Sequence, residues 1–67
     1  MYVVTYHKSS VNGINNIVIY KLVDGILYGH KNGHWLYSLW NEDEERRAWL
    51  IEHATMLTRR EAFLEIL

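Results

Sequence analysis

Three of the chain's four glycines stand directly behind Asn or Asp, as Asn12-Gly13, Asp24-Gly25 and Asn32-Gly33. A two-residue type I′ turn needs φ > 0 at both central positions, which Asn-Gly and Asp-Gly tolerate best. Segments rich in β-branched and aromatic residues flank each pair, and proline is absent. The spacing predicts strands over Tyr2 to His7, extending toward Ser10, then Ile17 to Val23, Ile26 to His30 and His34 to Trp40. Joined by tight turns, they form a four-stranded antiparallel β-meander.

The turns also set a register. Around Asp24-Gly25, Val23 should face Ile26, Leu22 face Leu27 and Lys21 face Tyr28. Around Asn32-Gly33, Lys31 should face His34, His30 face Trp35 and Tyr28 face Tyr37. Around Asn12-Gly13 the same rule pairs Lys8 with Ile17 and Tyr6 with Ile19. Asn15 and Asn16 are poor strand formers, so a wider loop is the alternative there. Side chains alternate between faces with period 2. One face then carries Tyr2, Val4, Tyr6, Ile17, Ile19, Val23, Ile26, Tyr28, Trp35, Tyr37 and Leu39. The other carries Val3, Val18, Tyr20, Leu22, Leu27, Leu36 and Trp40. Both are apolar, whereas a half-buried sheet shows one polar face, so something must cover each side.

The remainder reads as helix, giving an α+β chain of one domain, with a meander over 1–40 and a helical part over 41–67. Asn41 is a good N-cap, and Glu44 three residues on completes a capping-box pattern. The acidic run Glu42-Asp43-Glu44-Glu45 suits a helix N-terminus, and Arg46 and Arg47 follow Glu42 and Asp43 at i+4. Trp49, Leu50, Ala54 and Leu57, with Ile51 and Met56 beside them, make a buried stripe. Thr58-Arg59-Arg60-Glu61 is a second capping box. It favours a break near Thr58 and a short last helix burying Phe63, Leu64 and Leu67; one long helix from Glu42 to Ile66 is the rival.

A domain of 67 residues buries a small share of its unfolded surface and usually needs a staple. Cysteine is absent, which removes disulfides and thiolate metal sites and is compatible with a reducing cytoplasm. With 49% hydrophobic residues, oligomerisation or partner binding is the staple that remains. A formal net charge of −1 argues against a strong non-specific nucleic-acid binder, while leaving a local basic patch open. The first residues lack the basic and apolar regions of a signal peptide, and no apolar run approaches the ~20 residues of a membrane span. The expectation is a cytoplasmic protein with no membrane association.

Candidate chemistry is sparse. His30 and His34 flank a turn; in a three-residue loop they would be cross-strand neighbours able to share zinc, but a two-residue turn puts them on opposite faces. No metal site and no cofactor is expected. Serines without a His–carboxylate pairing and glycines confined to turns argue against an enzyme. Arg59 and Arg60, in the first turn of the last helix, sit where cations are disfavoured, a hint of contact with an anionic partner. The main feature is aromatic. Tyr2, Tyr6, Tyr28, Trp35 and Tyr37 share one face, and Trp40 lies on the other. These residues suit a dimer or partner interface, a core under the helices, or a platform for single-stranded bases.

In size and style the chain resembles the compact stand-alone accessory proteins of bacteriophages and other mobile elements, a likeness that no motif carries. The reading is a non-enzymatic interaction module, a homodimer acting as inhibitor or adaptor of a protein target. The alternative is a nucleic-acid-binding regulator using Arg59, Arg60 and the sheet lysines.

Overall fold

A computed structural model describes residues 3–10 and 16–67. Tyr2 and the Asn12-Gly13 turn lie outside them. The strands are β1 (Val4–Ser9), β2 (Val18–Val23), β3 (Ile26–Lys31) and β4 (His34–Tyr37). A 3₁₀ turn (Leu39–Glu42), helix α1 (Glu44–His53), a short strand β5 (Thr55–Leu57) and helix α2 (Arg59–Ile66) follow. The fold is α+β. Its antiparallel sheet has five strands in the order β4-β3-β2-β1-β5, one more than the turn pattern announces.

Both described turns are type I′. Asp24 and Gly25 have φ of 49° and 86°, Asn32 and Gly33 of 52° and 81°. They deliver the expected registers, Val23 opposite Ile26, Lys21 opposite Tyr28, His30 opposite Trp35 and Tyr28 opposite Tyr37. The β1–β2 register differs from a two-residue Asn12-Gly13 turn. Lys8 faces Ile19 rather than Ile17, and Tyr6 faces Lys21 rather than Ile19. Asp24 holds the observed pairing from the far end. Its N–H donates to the Val3 carbonyl at 3.1 Å, and its Oδ1 accepts from the Val3 N–H at 3.0 Å. Because the displacement is an even number of residues, the side chains of β1 and β2 keep their predicted faces.

Strand β4 ends earlier than Trp40, and Asn41 is the reason. The Leu27 N–H donates to Asn41 Oδ1 at 2.8 Å, while Asn41 Nδ2 donates to the carbonyls of Leu27 (2.7 Å) and Ser38 (2.8 Å). The carboxamide takes the place of the next ladder residue and lets the chain leave the sheet. Asn41 is therefore not the cap of α1. That cap is Asp43, whose Oδ1 accepts from the N–H groups of Glu45 (3.0 Å) and Arg46 (3.2 Å). Asp43 owns the position because Asn41's side chain is already committed to β3.

Helix α1 also stops short of the stripe predicted for it. Ala54 closes it with an N–H bond to the Leu50 carbonyl, and Thr55–Leu57 pair with β1, Leu57 opposite Tyr6 and Thr55 opposite Lys8. A ladder partner far earlier in the chain overrides helical continuation. The break at Thr58 is as predicted and excludes one long helix. Thr58 Oγ1 accepts from the Glu61 N–H at 3.1 Å, and Glu61 Oε1 accepts from the Thr58 N–H at 2.9 Å.

Strand β5 carries the chain past the free edge of β1, so the two helices cover opposite faces. Leu50 and Ile51 of α1, with Trp40, pack on Tyr20, Leu27, Val18 and Leu22. Gly29 leaves room for the Tyr20 ring, which would stand 3.4 Å from a Cβ there. On the other face α2 packs on β1, β2 and β5. Ala62 seals it against the sheet with Ile19 beneath, both buried. Lys8 and Glu65 form an ion pair at 2.9 Å that tacks the helix to β1, with both partners partly exposed. Such pairs contribute up to about 1 kcal/mol.

The Asn41 bridge yields a test. The N41A variant strands a backbone donor beside the fully buried Leu27, a loss of about 2 kcal/mol, or a fall in Tm on the order of 10 °C for a domain this small. The D43A variant removes an exposed cap and costs about 1 kcal/mol. Urea unfolding of the two variants is expected to give that order.

Candidate interaction face

Five strands at ~4.8 Å spacing make a sheet about 24 Å wide, and a helix with its side chains takes up about 10 Å. The α2 helix thus covers the β5-β1-β2 half of its face. Among the described residues the β3–β4 half has no comparable cover, and Tyr28, Trp35 and Tyr37 stand there together, as the register required. Tyr37 is 54% exposed and Ile26 beside it 42%. Tyr6 is also on this face but is half-buried, with the Phe63 ring edge-on at 6.0 Å. The Trp35 indole reaches back across the sheet to within 6.3 Å of Tyr6. Phe63, Tyr6 and Trp35 therefore form a continuous line from the wall of α2 onto the open floor.

Beside the Lys8–Glu65 pair, two cations on this face are placed against rings. Lys21 Nζ lies 4.8 Å from the Trp35 centroid and 5.8 Å from that of Tyr28. The Arg59 guanidinium lies 5.3 Å from the Phe63 ring. Cation–π contacts of this kind contribute about 0.5–1 kcal/mol at exposed sites. Arg60 is exposed, and with Phe63, Leu64 and Leu67 it lines the outer side of α2. Leu64 is 63% exposed. The expectation that Phe63, Leu64 and Leu67 are all buried by the last helix is therefore not met. Only the α2 residues turned to the sheet are covered, and the outer apolar stripe adds to the candidate surface. The stripe was hidden in the sequence because Ala62, Phe63, Leu64 and Ile66 spread over more than one face of so short a helix, so spacing alone does not say which of them meet the sheet.

Trp40 stands apart from the other aromatics. It packs on the opposite face against the Tyr20–Leu27–Leu50 core and stacks on Trp49, with ring centroids 6.2 Å apart. Trp49 stacks in turn on His53 at 4.3 Å, and His53 Nδ1 bonds the Trp49 carbonyl.

His30 and His34 occupy opposite faces, as the two-residue turn requires, and His30 sits edge-on to Trp35 at 5.0 Å. No group of three or more candidate metal ligands converges among the described residues. His7 is the buried histidine, 3% exposed. Its Nε2 shares a hydrogen bond with Thr5 Oγ1 at 2.8 Å, and its Nδ1 has no partner among the described residues. A hydroxyl beside an imidazole is half of a nucleophile–base pair, but no third group among the described residues orients this ring. No helix of the described residues is long and apolar enough to cross a membrane.

No protein-family model, curated protein or solved structure matches this chain.

Burial holds the His7 pKa below its ordinary 6.5. The unfolded chain takes up a proton near pH 6.5, whereas the folded chain takes it up only at lower pH. Stability is therefore full above pH 6.5 and is lost as the pH falls through that value toward the folded pKa. The urea midpoint is expected to drop between pH 7 and 5. The H7Q variant, which carries no titrating ring, should lack that slope. The Glu61 carboxyl, held down by its hydrogen bonds to Thr58, acts in a lower window beginning below its ordinary 4.5.

Proposed function

We propose that this chain is a small non-enzymatic protein–protein interaction module. It acts as a homodimer and docks its open aromatic surface on a target protein, as an inhibitor or adaptor of the kind that mobile elements encode. The observation carrying this reading is the half-covered sheet. One helix is spent on each face, and α2 leaves Tyr28, Trp35, Tyr37 and Ile26 on a floor wide enough for one further helix, beside an outward apolar stripe on α2. Rigid aromatic rings around a few polar tips are the usual makings of an interface hot spot. A contiguous apolar patch on a small soluble domain marks an interaction site. Lys21 gives the floor a single positive centre, which favours a target presenting a carboxylate among apolar side chains. Lys21 and Arg59 lie against ring faces, which leaves those faces less available for stacking bases.

Capture by the tagged chain from a nuclease-treated lysate, read by mass spectrometry, tests this. The expected result is one stoichiometric protein, lost with I26E or Y28E at unchanged circular dichroism. Recovery that vanishes on nuclease treatment and in R59E/R60E would put a nucleic-acid-binding regulator in its place.

A further inference from the structure

We propose that the homodimer forms by pairing of β4 with β4 of a second copy, centred on Leu36, so that two five-stranded sheets become one continuous sheet. This rests on the interaction-module reading and names the surface of its dimer.

In a hairpin closed by a two-residue turn, the flanking residues Lys31 and His34 exchange both backbone bonds, and every second pair after them does the same. Gly29–Leu36 is the next bonded pair, and the Ser38 N–H bond to the Leu27 carbonyl at 3.1 Å follows the same phase. Trp35 and Tyr37 therefore turn their N–H and C=O groups away from β3. As β4 is an edge strand, those groups meet no partner among the described residues.

Natural edges are protected by Lys, Pro, a bulge or brevity. His34-Trp35-Leu36-Tyr37 has none of the first three. The opposite edge is closed. Leu57 and Thr55 bond inward to β1, leaving Met56 alone to face out. The N–H groups on either side are spent within the chain, Ala54 on Leu50 and Thr58 on Glu61.

The open edge is self-complementary. An antiparallel copy centred on Leu36 places Trp35 opposite Tyr37 of the second copy, and Tyr37 opposite its Trp35. Each outward N–H then meets an outward C=O, and the two aromatic pairs fall on the same face, where cross-strand aromatic pairs are favourable. Leu36, 52% exposed, meets Leu36 of the second copy on the other face. Leu39 stands near it on the rim of an open cleft of about 730 Å³ that also includes Tyr20 and Trp40. Pairing also changes the docking floor. Strands β3 and β4 of both copies make a floor about 19 Å wide, bounded at each side by an α2 helix and carrying Tyr28, Trp35 and Tyr37 twice.

The chain has no cysteine, so single cysteines report pairing directly. In the proposed register Leu36 and its mate form a non-hydrogen-bonded pair with Cα atoms about 4.5 Å apart, within disulfide reach. L36C is expected to oxidise to a covalent dimer. M56C, more exposed on the other edge, is expected not to. The Y37P variant removes the outward N–H without touching the β3 ladder, and sedimentation should show dimerisation weakened about tenfold or more. Wild type that sediments as a monomer at 200 μM, with L36C uncrosslinked, overturns the proposal, as does crosslinking through M56C in place of L36C. A monomer that binds an extended peptide along β4 also overturns it. A monomer that still captures a protein through Tyr28 removes the edge pairing alone. A β4-paired dimer that captures nothing removes the target-binding reading alone.

Discussion

The pairing of Thr55–Leu57 with β1 governs this molecule more than any single side chain. Those residues carry the chain from one face of the sheet to the other, along an edge that would otherwise be open. Without that passage α2 would follow α1 onto the same side and leave the Tyr6–Trp35 face entirely bare. With it, each face receives one helix, and one helix is about half of what a five-stranded sheet needs. The aromatic surface is thus a result of topology as much as of composition. The first edge is closed by a strand too short to recruit another, while the second is left available.

Asn41 has a comparable role at the other end of the sheet. Its carboxamide satisfies the backbone of Leu27 where β4 departs, so the strand can end without stranding buried polar groups. The departure places Trp40 over Tyr20 and Leu50, where it seats α1. One side chain therefore ends a ladder, starts a layer and sets the length of the edge that β4 presents.

What could be read from the residues alone follows from how local each determinant is. The two described turns and their registers were legible because the need for φ > 0 at Asp24, Gly25, Asn32 and Gly33 is decided within four residues. Face assignments survived even where the β1–β2 register did not, since the displacement was even. The Thr58–Glu61 capping box was legible for the same reason of locality. Strand β5 was not. Ala54 and Leu57 continue the spacing of Trp49 and Leu50, and only a distant partner, β1, makes residues 55–57 extended. Asn41 was misread because Asn before Glu44 carries the signature of a cap, and its engagement with Leu27 is a tertiary fact. As for the site, parity brought Tyr28, Trp35 and Tyr37 together. Which half of that face stays open depended on β5, and the outer stripe of α2 depended on where the helix sits.

The three indoles have a use beyond packing. Trp40 and Trp49 lie nearly parallel, 13° apart, within the α1 layer, whereas Trp35 stands alone on the far side of the sheet under the Lys21 ammonium. The molecule thus carries two separate optical reporters. Coupled transitions of the stacked pair register the docking of α1 in the near-ultraviolet dichroism. The emission of Trp35 registers events on the open floor.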